Sequence, residues 1–241
     1  MTTPRAEGPA LPLSGRRLGV WLINMDGAHE RLASMTARLH AAGIPFARMP
    51  GVDGRALTFP DPRFDERAYR LLHGRRTTPP EVGCYLSHVA CARAFLDSDA
   101  DLALILEDDA QVGPDLPDII DRAALHGGLW NLLRLSSMNG GPRFAVRDLG
   151  QGHGLAIALT REKGAGAYVI DRRAAEWIVT DLMPMRLAWD IAFDLEYLDG
   201  LRAAFVNWQT EDWDVDWLKA ELRNVLRSIE TNSSPAPRRK N

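Results

Sequence analysis

The chain has 241 residues, 46% of them hydrophobic and 25% charged, with a formal net charge of −3. That length carries one large α/β domain or two small ones around a sizeable core. The net negative charge excludes a broad electrostatic grip on nucleic acid. No apolar stretch reaches the ~18–20 residues of a membrane span.

Met1 to about Gly15 is rich in Pro, Thr, Gly and Ala and reads as a flexible arm. Its one apolar run, Leu11-Pro12-Leu13, is too short for a signal-peptide core, so a cytoplasmic setting is expected. Leu18 to Asn24 is a nearly continuous apolar run and predicts a central strand. Asp26 opens a helix in which Leu32, Met35 and Leu39 share a face, and Gly43 stops it. Ile44 to Met49 predicts a second strand, so strand, helix and strand form a βαβ unit with parallel strands. Val52-Asp53-Gly54-Arg55 is a turn. The arginine-rich stretch from Thr58 to Arg76 is irregular, with a short helix around Glu66–Leu72. Thr78, Pro79 and Glu81 form a helix start, with a capping box and proline at the first helical position. That helix runs to about Asp97.

Leu102 to Leu106 predicts a strand buried on both faces. Pro114 to His126 is a helix, Trp130 to Leu135 a strand, and Phe144–Leu149 and Leu155–Leu159 two more. Gly164 to Ile170 is another strand, after which Asp171 caps a helix through Leu182. A helical segment covers Leu187–Leu198, Ala203–Val206 is a short strand, and a last amphipathic helix spans about Val215–Ile229. The polar, basic end from Thr231 reads as a disordered tail. Cys84 and Cys91 stand seven apart in a helix, about 10 Å by helical rise. A disulfide needs Cα atoms within about 7 Å, so they do not bridge. No CxxC or Cys/His zinc spacing is found.

The chemistry gathers at strand ends and helix starts. Glu107, Asp108 and Asp109 follow the apolar run directly. Three adjacent carboxylates need a cation, hydrogen bonds or full solvation, and in open α/β sheets ligands collect outside the carboxyl ends of strands. The choice is between a divalent-metal site that holds a diphosphate and a solvated acidic turn. Other residues also have two readings. Asp26 is a cap or a ligand; Glu81 completes the capping box or faces a pocket; His88 is a core histidine or a site residue. Asp190 and Asp194 share a helix face as like charges, which favours a partner between them. Trp208, Trp213 and Trp217 either stack an acceptor sugar or pack in a core.

Taken together, these motifs resemble glycosyltransferase family 25, the lipooligosaccharide galactosyltransferases and their collagen-modifying relatives. Ile23-Asn24-Met25-Asp26 with Glu30-Arg31 resembles the family's opening INLDR…ER. Val52-Asp53-Gly54 matches its VDG, and Glu81 to His88 its GEIGCxLSH. Leu104 to Asp109 matches its LILEDD, and Gly164 to Ile170 resembles its G(T/S)xAYLIS. Pro184 to Asp194 resembles a PxDxxLD element loosely. Gly27 stands where the family has arginine, and Pro80 where it has glycine.

The resemblance implies a GT-A type α/β fold, a mainly parallel central sheet flanked by helices. The catalytic domain would span residues 16–230, with a nucleotide-binding half at 16–112 and an acceptor half at 113–230. It implies metal-dependent, inverting transfer of a sugar, galactose from UDP-galactose in the leading reading. The acceptor would be a saccharide or lipid-linked hydroxyl in surface-polysaccharide synthesis. Asp109 and Glu107 would then bind Mn²⁺ or Mg²⁺. Asn24, Asp26, Arg31, Glu81, Ser87, His88 and Asp108 would hold the nucleotide sugar. Asp190, with Asp194 next, would be the catalytic base. Glu107 and Asp109, two apart in an extended chain, would point the same way. The arginines between Arg63 and Arg76, with the basic tail, would give peripheral contact with the inner membrane face. The alternatives are a peptide, protein or small-metabolite acceptor, or a silent sugar-nucleotide-binding scaffold.

Overall fold

The computed structural model describes residues 8–138 and 140–208. The expected helix at 215–229, Trp213, Trp217 and the basic tail lie outside the described residues, and Trp208 is the last of them. The strands are β1 (Ala10–Leu13), β2 (Arg16–Asn24), β3 (Ala47–Pro50), β4 (Leu102–Glu107) and β5 (Leu132–Arg134). They continue with β6 (Arg143–Gly150), β7 (His153–Ala158), β8 (Ala167–Asp171) and β9 (Ala203–Trp208). Among the described residues these nine strands form one sheet in the order β1-β2-β4-β8-β5-β9-β7-β6, with β3 beside β2. The helices are α1 (His29–Ala41), α2 (Glu66–His73), α3 (Pro79–Asp97), α4 (Leu116–Ala124), α5 (Arg172–Thr180) and α6 (Trp189–Ala192). Short 3-10 turns cover Gly54–Ala56 and Phe193–Asp199.

The two faces of β4 explain its sequence. Leu102, Leu104 and Leu106 pack on one side with Met35 and Leu39 of α1 and Ile119 and Ile120 of α4. Ala103 and Ile105 pack on the other with Val89 and Phe95 of α3 and Ile178 of α5. Alternating residues therefore feed two cores, and the run has to be apolar throughout. The expected βαβ unit is present: β2 runs parallel to β3 and to β4.

The sheet as a whole corrects the expectation of a mainly parallel one. It is mixed and mostly antiparallel: β1 opposes β2, β8 opposes both β4 and β5, and β6 opposes β7. The apolar runs reported burial on two faces, which is indifferent to strand direction. Direction follows from the path of the chain, which returns to the carboxyl end of β4 before entering β8. Glu107 N there donates to Gly166 O at 2.8 Å. The chain also pairs earlier than expected. Ala10–Leu13, within the stretch read as an arm, lies against the first half of β2, and Gly15 makes the turn with φ +84°. The expected helix over 187–198 shortens to α6 and a 3-10 turn.

Candidate functional site

The strand ends where the charges begin. Leu102 to Leu106 are fully buried, and Glu107 closes β4. Asp108 and Asp109 stand in the following turn, which Ala110 N closes on Glu107 O at 3.1 Å. Strand alternation therefore stops at Glu107, and the three acids meet three environments. Asp108 turns inward, with its side chain only 8% exposed. Asn24 Nδ2 donates to its Oδ2 at 2.6 Å, and Arg31 Nε lies 3.4 Å from its Oδ1. Asn24 Oδ1 accepts in turn from Arg48 Nε at 2.9 Å, and Arg48 also reaches the Asn24 carbonyl and the Asp26 carboxylate. This network ties the carboxyl ends of β2, β3 and β4 to the first turn of α1. Asp109 faces solvent at the cleft.

Glu107 points toward α3. Its Oε1 lies 3.1 Å from His88 Nε2, and His88 Nδ1 lies 3.0 Å from the Tyr168 hydroxyl. The His88 ring is 1% exposed and stacks on Trp189, with centroids 4.6 Å apart and planes 4° apart. The hydrogen bond from His88 holds the Glu107 carboxyl below the usual carboxylate range, against the opposing effect of burial. One helical turn before His88, Cys84 opens onto the cleft. The protein packed around it, and then the carboxylates of Glu107, Asp190 and Glu81, push its thiol up to about 12.

Two glycines let the Val52–Gly54 loop press against α3. A Cβ on Gly83 would stand 2.3 Å from Val52 O, and one on Gly54 would stand 1.6 Å from Pro79 O. Ser87 fastens the contact: Val52 N donates to its Oγ at 2.8 Å, and that hydroxyl donates to Gly83 O at 2.7 Å. The VDG and EVGC motifs are thus two halves of one backbone-to-backbone contact.

Between this loop, α3 and the acidic strand end lies a cleft of about 540 Å³. Asp26, Arg31, Ser87, His88, Glu107, Asp108 and Asp109 line it, with Cys84, Asp53 and Arg55. Asn24 sits beneath, as the partner of Asp108. Glu81 is placed elsewhere. It completes the capping box through Thr78 N at 2.8 Å and also pairs with Arg75. That guanidinium beside it holds its carboxyl down to about 2. Asp190 stands next to Trp189, close enough to act on the Cys84 thiol. Asp194 is held between Arg134 at 2.9 Å and Arg161 at 3.1 Å. Sequence reasoning missed Arg48 of β3, a cation that reaches the acidic strand end through Asn24. Tyr168, inside the expected strand from Gly164 to Ile170, is buried and also brings its hydroxyl to His88.

The acidic strand end, the basic network on its inner side and the cleft between them bring carboxylates and cations to one space, a candidate site. Comparison with known proteins supplies the class. A family model described as glycosyltransferase family 25 (LPS biosynthesis protein) matches residues 18–140, half of the chain. The chain belongs to glycosyltransferase family 25. It is similar to a glycosyltransferase 25 family member of Aedes aegypti, 28% identical over 125 residues, 47% of this chain and 20% of the relative. Similar proteins of the same description occur in Anopheles gambiae, 28% identical over 39% of this chain and 17% of the relative, and in Drosophila melanogaster, 31% identical over 39% and 16%. The chain therefore spans about a fifth of the length of the curated relatives it matches. Among the described residues, no helix is long and apolar enough to cross a membrane.

Proposed function

We propose that the chain is a metal-dependent, inverting glycosyltransferase of GT-A type. It moves a sugar, galactose from UDP-galactose in the leading reading, to a hydroxyl of a saccharide acceptor in lipooligosaccharide or surface-polysaccharide synthesis. One observation carries the reading: Asp26, Arg31, His88 and the three acids of the β4 end converge on one cleft. Strand carboxyl ends are where α/β sheets gather ligands.

Residues 16–112 make the nucleotide side and residues 113–230 the acceptor side. Glu107 and Asp109 offer carboxylate oxygens to the cleft, the donor type that Mn²⁺ and Mg²⁺ take. A dication held there would supply neutralisation of the charge that builds on the leaving nucleoside diphosphate. Asp108, engaged by Asn24 and Arg31, keeps the donor side of the cleft in shape. His88 fixes the Glu107 carboxylate. Asp190 accepts the proton of the acceptor hydroxyl as its oxygen attacks the anomeric carbon. The bond to the diphosphate breaks on the opposite face, so the configuration inverts. Asp194 has its oxygens committed to two arginines and acts as a positioning residue.

A panel of nucleotide sugars tested by thermal shift, with and without Mn²⁺, checks the donor: the true donor raises Tm by mass action. Asp190→Asn is expected to lower transfer by about 10²–10⁴-fold, the usual contribution of a general base. Near-normal transfer by that variant removes Asp190 as the base. Full activity in EDTA, or after Asp109→Ala, sinks the metal-assisted mechanism.

A further inference from the structure

Cys84 takes no part in the donor reading, yet it stands at i relative to His88 at i+4 on α3, so both side chains leave one face of the helix. Glu107 meets them from the end of β4. One ligand atom from each of the three residues lies within 4.8 Å of the others. A thiol, an imidazole and a carboxylate form a donor set suited to borderline-soft cations rather than to Mn²⁺ or Mg²⁺. We propose that Cys84, His88 and Glu107 form a binding site for a divalent cation of the Zn²⁺ class, with a fourth position open to the cleft.

The surroundings are those of a built site. The His88 ring is held in its plane by Trp189 and fixed at Nδ1 by the Tyr168 hydroxyl, 3.0 Å away. Histidine ligands ordinarily bind an outer partner in this way, with the ring proton on the nitrogen that does not face the metal. Three protein ligands and an open place match the plan of reactive zinc sites. Cys84 and Glu107 both line the cleft, which gives the cation its path. Binding breaks the S–H bond of Cys84, forms a metal–thiolate bond and releases one proton to solvent. Burial, and after it the nearby carboxylates, keep that proton on the thiol, and of these Glu107 itself faces the dication. The sequence search for a zinc spacing passed over this site because its third ligand lies 19 positions beyond His88, on another element.

The site stands without the glycosyltransferase reading, although it shares Glu107 with it. The test is Co²⁺ titration of the full chain after chelator treatment, read by thiolate-to-cobalt charge-transfer absorption. One equivalent should develop the band, Zn²⁺ should displace it, and Mg²⁺ should not. Cys84→Ser should abolish the band, and Asp109→Asn should retain it. Tyr168→Phe should keep the band and weaken Co²⁺ binding about 10–100-fold, the usual cost of removing a ligand's outer partner. No band in the folded wild-type chain, or a band that survives Cys84→Ser, overturns the proposal. Should Cys84→Ser fail to fold, proton release decides with the wild-type chain alone: Zn²⁺ binding without a released proton at neutral pH overturns it. A chain that shows the band but transfers no sugar supports this site and counts against the function proposed above. Sugar transfer without the band refutes this site alone.

Discussion

Glu107, Asp108 and Asp109 are adjacent in the chain and separate in role because each points to a different neighbour. Asp108 is the inward one, and its removal should be felt in both folding and binding. Asp108→Ala leaves Arg31 without its carboxylate and takes one acceptor from buried Asn24. The expected cost is about 1–3 kcal/mol, the range for a buried polar group that loses its partner, together with a raised KM for the donor. Urea unfolding and initial rates measure the two effects. Glu81 gives a pH signature. Its folded pKa of about 2 lies below the ordinary 4.5. Its contribution is therefore fully present above pH 4.5 and is lost as the pH falls toward 2. Glu81→Gln should flatten the stability profile across that acid window and lower stability at neutral pH by about 1 kcal/mol, the scale of a helix cap. Thermal melts from pH 2 upward read both. An unchanged acid limb would mean that Arg75 and Thr78 do not stabilise the ionised form.

Among the elements, α3 organises the site. It supplies the capping box, the loop contact through Gly83 and Ser87, and the Cys84–His88 face. Its start was legible in the sequence because capping acts over three residues, and Thr78 and Glu81 carry both halves of the reciprocal bond. The reason for Gly83 was not legible, since the clashing atoms belong to Val52 and Gly54 on a distant loop. Gly83→Ala should force the backbones apart, at a cost of about 1–3 kcal/mol for overpacking. It should lower stability and activity together, whereas Asp109→Asn, at an exposed residue, should lower activity with little change in stability, because only Gly83→Ala shifts the cleft wall. Denaturation midpoints and transfer rates for both variants test this. Strand β8 shows the opposite case. Its existence followed from Gly164 to Ile170, but its direction did not, because an apolar run reads the same from either end.

At the scale of the molecule, two cores clamp the sheet from opposite sides, and a buried ion pair joins β5, an inner strand, to the 3-10 turn after α6. Arg134 of β5 is 1% exposed at its side chain and lies between Phe193 and Phe205, 4.9 and 5.6 Å from their centroids. It pairs with Asp194, whose side chain is 12% exposed. Arg134→Ala removes one member of a buried pair, which commonly costs about 3–5 kcal/mol. The lower end is expected, because Arg161 remains beside Asp194. Calorimetry checks the loss. A change under 1 kcal/mol, far below that range, would show that the pair adds nothing to stability.

The sequence by itself determined the α/β class, the caps of α3 and α5, the burial of β4 on both faces and the family. Each of these rests on residue type and short-range spacing, within one helical turn or one strand. The expected opening of the first helix at Asp26 gave way to a start at His29 after Ala28. The tertiary structure decided the mixed direction of the sheet and the withdrawal of Glu81 into its capping box. It also set Asp194 between two arginines. Above all, it decided what the acids after β4 face. Asn24 meets Asp108 across 84 positions of chain, and Cys84 and His88 meet Glu107 from another element. Such meetings are set by how strands pair and helices pack, and no local pattern of residues encodes them.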